Sequence, residues 1–131
     1  MKARIVPPAP PTALAWALED RAAELEKVCA AAGVRLRAVE RGQAGRTVAA
    51  LCGLPGPEES AADAPAPADT PALVLFGLDK KGLDDFLDRL KGAGVAVPLK
   101  AVVTPTNRAW TFARLLEELA AERRELENRT K

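Results

Sequence analysis

The run Lys100, Thr104, Thr106, Asn107, Arg108 and Thr111 is where residue types and spacing in this sequence could do chemistry. Threonine hydroxyls, an amide and a guanidinium set just before a helix could hold a phosphate or a carboxylate. The first-turn N–H groups of a helix lack intrahelical partners and carry the positive end of its dipole. An earlier loop, RGQAGR, supplies Arg41, Gln43 and Arg46. If the two loops lie side by side, Arg41 and Arg46 converge with Lys100 and Arg108 on one anion. The same residues also make ordinary turns: Thr, Pro and Asn favour them, Thr111 is a common helix cap, and Trp110 reads as a packing residue.

Most catalytic chemistries are excluded by composition. The chain has no His and no Tyr, which removes the most frequent general acid/base, the commonest metal ligand and the Ser/His and Cys/His pairs. No spacing of Cys, Asp and Glu suits a metal, no glycine-rich phosphate loop is present, and no cofactor is implied. Cys29 and Cys52 each fall on an apolar helical stripe and read as buried thiols in a reducing cytoplasm, with a disulfide or redox pair as the other reading. An enzyme would have to work with Lys, Asp, Glu or Cys alone, and Lys100, flanked by apolar residues, is the one to watch. No signal peptide opens the chain and no apolar run spans a bilayer, so the protein is expected to be soluble and cytoplasmic.

Charge divides the chain into three. Residues 1 to 54 carry 8 basic and 5 acidic side chains, 55 to 70 carry 0 and 4, and 71 to 131 carry 11 and 9. Five of the eleven prolines fall between Pro55 and Pro71, and alanine is the only apolar side chain there besides them. That composition cannot bury enough surface to offset ordering, so 55 to 71 reads as an acidic, flexible linker.

Before the linker, Lys2 to Val6 favours a strand. Leu14, Leu18, Ala22, Leu25 and Cys29 then recur at intervals of three and four, which predicts a helix from Thr12, as N-cap, to Gly33. VRLRAVER alternates apolar and basic residues, the pattern of an edge or half-solvated strand whose Arg stems lie on the sheet. TVAALC is a short helix capped by Thr47 and stopped by Gly53.

After the linker, ALVLFG is a continuous apolar run, as in a central strand covered on both faces. Asp79 caps a helix that buries Leu83, Phe86, Leu87 and Leu90 and ends at Gly92 and Gly94. Val95 to Val103 predicts a strand with Pro98 at an edge or bulge. The last helix starts at Thr111 and buries Phe112, Leu115, Leu116 and Leu119; from Glu117 onward it is mostly charged and extends into solvent.

GVRLRAVERGQAGRTVAALC resembles GVAVPLKAVVTPTNRAWTFARLL in order and character, with LRAV at 36 to 39 answering LKAV at 99 to 102 and Thr47 answering Thr111. The expected architecture is a small pseudo-symmetric α/β domain, two β-α-β-α units sharing one mainly parallel four-stranded sheet. Its parts are an N-terminal half at 1 to 54, the linker at 55 to 71, a C-terminal half at 72 to 120 and a charged helical tail at 121 to 131.

The stretch from about residue 72 to 120 resembles a family of small bacterial proteins known only as a domain of unknown function. Its strongest signature, KAVxTPTNxxW(T), is matched by Lys100, Ala101, Val102, Thr104, Pro105, Thr106, Asn107, Trp110 and Thr111. The part before the linker looks like a weaker N-terminal half often attached to that family, and departs from it around PPAPPT. The resemblance implies a special loop and brings no activity or ligand with it.

Two functions follow as expectations. One is a non-catalytic binding or regulatory module whose loop recognises a nucleotide, RNA or another anion. The other is a protein-interaction or self-assembling module, a homo-oligomer in its simplest form, working through the last helix, where Phe112, Leu119 and Leu126 recur every seven residues.

Overall fold

The structure is a computed structural model and describes residues 10–54 and 70–129. The strand expected over Lys2 to Val6 lies outside the described residues, as does the expected linker except for Thr70 and Pro71. Four strands, β1 (Thr12–Trp16), β2 (Arg35–Ala38), β3 (Ala72–Phe76) and β4 (Leu99–Val102), form one open sheet in the order β2-β1-β3-β4. The helices are α1 (Ala22–Ala32), α2 (Val48–Leu51), α3 (Lys80–Gly92) and α4 (Phe112–Arg129).

The sheet is mixed, which corrects the mainly parallel sheet expected. β1 and β2 are parallel, as are β3 and β4, whereas β1 and β3 at the centre are antiparallel, with Leu14 opposite Val74. A helix between two neighbouring strands carries the chain back and makes them parallel. No such crossover joins β1 to β3 directly, so their relative direction is set by packing.

The second correction concerns Thr12. It opens a strand instead of capping a helix, and its hydroxyl donates to the Pro10 carbonyl at 2.8 Å. All five residues of β1 are buried, because both faces of the central strand are covered. Leu14 and Trp16 face one layer, with Val48, Leu51, Phe112, Leu115 and Leu116 of α2 and α4. Ala13 and Ala15 face the other, with Leu25 and Val28 of α1 and Phe86 and Leu90 of α3. Ala17, at φ 57°, ends the strand in a backbone conformation that no α-helix contains. A 3-10 turn at Glu19–Arg21 follows, and α1 covers only the later part of the expected helix, ending at Gly33 with φ 72°.

The other elements follow the sequence more closely. β3 is central and buried, and β2 is an edge strand. Its Arg37 Nη1 donates to the Leu51 carbonyl at 2.9 Å and Arg35 Nη2 to the Cys52 carbonyl at 3.2 Å, so two guanidiniums satisfy the open end of α2. Asp79 Oδ1 accepts from Gly82 N at 2.7 Å and caps α3. β4 is shorter than expected: Val95 and Val97 are buried but precede the strand, which starts only after Pro98.

Candidate functional site

The loop after β4 is closed by one side chain. Asn107, 9% exposed, accepts from Thr104 N through Oδ1 at 2.9 Å, and its own backbone N donates to Thr104 Oγ1 at 3.1 Å. Its Nδ2 donates to the Val102 carbonyl at 3.2 Å. Thr104 and Asn107 thus form a reciprocal pair like a capping box. The third bond ties that pair to the last carbonyl of β4. Pro105, Thr106 and Arg108 stand exposed on the outside of the turn.

The start of α4 is equally occupied. Phe112 N donates to the Arg46 carbonyl and Ala113 N to the Ala44 carbonyl, each at 2.9 Å, and Arg114 N donates to Thr111 Oγ1 at 3.1 Å. Across from them Val48 N donates to the Trp110 carbonyl at 2.9 Å and Ala50 N to Thr47 Oγ1 at 3.1 Å. Thr47 and Thr111 face each other in an isolated antiparallel bridge. The two helix starts therefore satisfy one another through the chain that leads into each. The amides on which an anion would sit are already donating to protein oxygens.

The eight expected ligand residues are not gathered. Thr104 and Asn107 are together, Thr111 bridges Thr47, and Arg46 meets the start of α4 through its carbonyl, which accepts from Phe112 N. β2 and β4 run in opposite directions, however, so the loops at their carboxyl ends leave from opposite ends of the sheet. Arg41 lies over the Trp16 ring at 5.9 Å from its centroid, and the Gln43 amide oxygen accepts from Glu40 N at 3.0 Å. Lys100 lies on the far edge of the sheet, exposed, with Nζ donating back to the Val97 carbonyl at 3.1 Å. Trp110 is half-buried and stacks under the Arg114 guanidinium at 4.3 Å.

The two cysteines are free and buried on opposite faces of the sheet, Cys29 in the α1/α3 layer and Cys52 in the α2/α4 layer. They are not placed to pair with each other. Burial pushes each thiol up to about 11, with Arg35 and Arg37 pulling Cys52 part of the way back. Neither has the character of a reactive thiolate. Among the described residues no group of three or more His, Cys, Asp or Glu could hold a metal ion, and no helix is long and apolar enough to cross a membrane.

Pro98 points to an edge or bulge in this strand, but nothing in the sequence singles out the outer side of β4 as a surface. A cleft of about 440 Å³ opens on its α3 side, lined by Leu87, Leu90, Lys91, Val95, Ala96 and Lys100. A second, of about 230 Å³, opens on its α4 side between Leu99 and the Leu119 to Leu126 face of α4. Among the described residues the exposed large apolar side chains are Val102, 40% exposed, and Leu126, 60% exposed, and both flank this edge. Besides Pro98, the sequence signal is the heptad spacing of Phe112, Leu119 and Leu126. Along that line burial falls from complete to partial to slight, so the stripe runs out of core and onto the edge.

The family described as a domain of unknown function (DUF3783) matches residues 71–126, which take in β3, α3, β4, the Asn107 turn and α4 as far as Leu126. No curated protein and no solved structure matches the chain.

Proposed function

We propose that this chain is a non-catalytic protein-interaction module whose working surface is the outer edge of β4, which no other described strand pairs with, and the adjoining faces of α3 and α4. The observation that carries this is the coincidence of Val102, Leu126 and two clefts along one strand edge that is unpaired among the described residues. Exposed apolar side chains that cluster around a concave surface mark contact sites more often than scattered ones do. The Thr104 to Arg108 loop then has a supporting part, since Asn107 fixes the end of the strand that carries the surface. An anion-recognising loop for a nucleotide or RNA keeps Thr104, Thr106 and Arg108 exposed, with the α4-start amides of Phe112, Ala113 and Arg114 already donating to protein oxygens.

The arrangement as two β-α-β-α halves, 1 to 54 and 72 to 120, joined by a linker and followed by a charged tail, belongs to the same reading. It is supported by β1-α1-β2 and β3-α3-β4 each having parallel strands, by the antiparallel β1–β3 centre, and by Thr47 and Thr111 capping equivalent helices across one bridge. A cytoplasmic home is supported by two buried free thiols.

The test is a set of peptides selected by display against the whole folded chain, each titrated into ¹⁵N-labelled protein. Shifts concentrated in residues 87–102 and 119–126 are the expected result. Selected peptides that leave those residues unmoved, together with mononucleotide titrations that shift residues 104–111, would overturn the reading in favour of the loop.

A further inference from the structure

We infer that the partner is an acidic, extended peptide that adds to β4 as a fifth strand, an inference that rests on the interaction surface just proposed. The backbone polarity of β4 sets the first condition. Leu99 N donates to the Pro71 carbonyl at 3.3 Å and Val103 N to the Leu75 carbonyl at 2.9 Å, so the odd-numbered residues face β3 and Lys100 and Val102 turn their backbone groups outward. The Val102 carbonyl is taken by Asn107 and the Pro98 carbonyl by Arg123 Nη1 at 3.0 Å. Among the described residues, the Lys100 N–H, the Lys100 carbonyl and the Val102 N–H are left between these two stops. That is the footprint of a short added strand whose register is fixed at both ends.

Side chains set the second condition. Successive residues of an added strand point to opposite faces of the sheet. The two clefts lie on opposite faces of β4, and Lys100 borders both. A bound peptide therefore has an apolar seat for each of two adjacent side chains.

Charge chooses among occupants. The larger cleft is bordered by Lys91 and Lys100 and by no carboxylate, and the smaller one by Arg123 and Glu122, with Arg123 also paired to Glu127 at 3.4 Å. A second copy pairing edge to edge would bring Lys100 and Lys91 against their own counterparts, and a lysine in an edge strand disfavours that pairing. An acidic segment meets the opposite charge instead.

The experiment uses the full chain and three labelled heptapeptides, Ac-EDVIVDE, Ac-GSVIVSG and Ac-KRVIVRK, followed by fluorescence anisotropy and by ¹⁵N shifts. The acidic probe is expected to bind about tenfold more tightly than the neutral one and to shift the Lys100 and Val102 amides. N-methylation of one alternate set of its amides should abolish binding, and of the other set should not. The exposed double substitution Lys91→Glu with Lys100→Glu, checked for an unchanged circular dichroism spectrum, should reverse the preference toward the basic probe. Equal binding of acidic and neutral probes at these residues would overturn the acidic partner while leaving the interaction surface standing. Indifference to N-methylation would overturn strand addition. Light scattering that shows a dimer disrupted by Val102→Asp would overturn it in favour of a second copy. If no probe moves Lys100 or Val102 and display peptides also bind elsewhere, both this inference and the surface itself fail.

Discussion

Asn107 makes more side-chain hydrogen bonds than Thr104 or Thr111 in the loop that leads into α4. Its two side-chain hydrogen bonds, together with its backbone N–H donating to Thr104 Oγ1, close the turn and terminate the outer edge of β4. Asn107→Ala should lower stability by about 1 to 2 kcal/mol in urea unfolding, because it strands partly buried groups at Thr104 and Val102. Asn107→Asp keeps the acceptor for Thr104 N but loses the donor to Val102, and places a carboxylate beside a carbonyl, so it should also destabilise. A loss below about 0.3 kcal/mol for Asn107→Ala, within the range of ordinary surface substitutions, would show the turn to be dispensable for folding. The thiols make a different prediction at the same scale. Cys29 and Cys52 are raised from 9.0 to about 11 in the folded protein, so the folded state holds its thiol protons at a pH where the unfolded chain has released them. Stability should therefore be unaffected by these groups below about pH 9 and should fall as pH rises from 9 through 11. Cys29→Ala with Cys52→Ala should flatten that alkaline limb, whatever it costs in packing at neutral pH, and a pH–stability curve of both proteins checks it.

At the scale of elements, the two helix starts at Thr47 and Thr111 are one structure. Each threonine caps its own helix, and each helix start also donates to the chain entering the other. Thr111→Ala should cost about 1 kcal/mol, and Thr111→Ser distinctly less, since serine keeps the accepting oxygen. Because the caps sit opposite each other, Thr47→Ala and Thr111→Ala should be non-additive by at least about 0.5 kcal/mol in a double-mutant cycle. Additive losses would mean the bridge transmits nothing. Both caps were legible from sequence, as were Asp79, the Gly33 stop, the buried run of β3 and the basic edge strand β2, because each is a pattern within a few neighbouring residues. Thr12–Trp16 was not. A strand buried on both faces loses its alternation, and Leu14 and Leu18 happen to continue the three-and-four spacing of the true helix that starts at Ala22. The closed helix starts were equally unreadable. Phe112 and Ala113 find their acceptors at Arg46 and Ala44, far away in sequence, so the free amides that suggested an anion site are free only as long as α4 is considered alone.

For the whole molecule, the antiparallel pairing of β1 with β3 decides what can stand by itself. The family match covers residues 71–126, yet the part it matches leaves β3 with one partner strand in place of two. It also strips Phe112, Leu115 and Leu116 of Trp16, Val48 and Leu51, which complete their layer, and leaves Phe112 and Ala113 without the carbonyls of Arg46 and Ala44. Each large apolar side chain returned to water costs about 2 kcal/mol, so losing even three of these contacts is comparable to the 5 to 15 kcal/mol that holds a typical domain together. A fragment spanning 71–131 should therefore fail to fold as a monomer, giving weak circular dichroism and a collapsed amide spectrum. Mixing it with a fragment spanning 1–54 should restore dispersed peaks, because the two pieces meet mainly through backbone pairing and interdigitated apolar faces that need no covalent join. The 71–131 fragment has one further way to cover its exposed strand, which is to pair β3 with β3 of a second copy in the direction β1 uses. A well-folded dimer of that fragment would agree with the interlock of the two halves, since a second copy then does the work of the first half. A well-folded monomer would not, because it would show that β3 and the start of α4 are stable with their central partners gone.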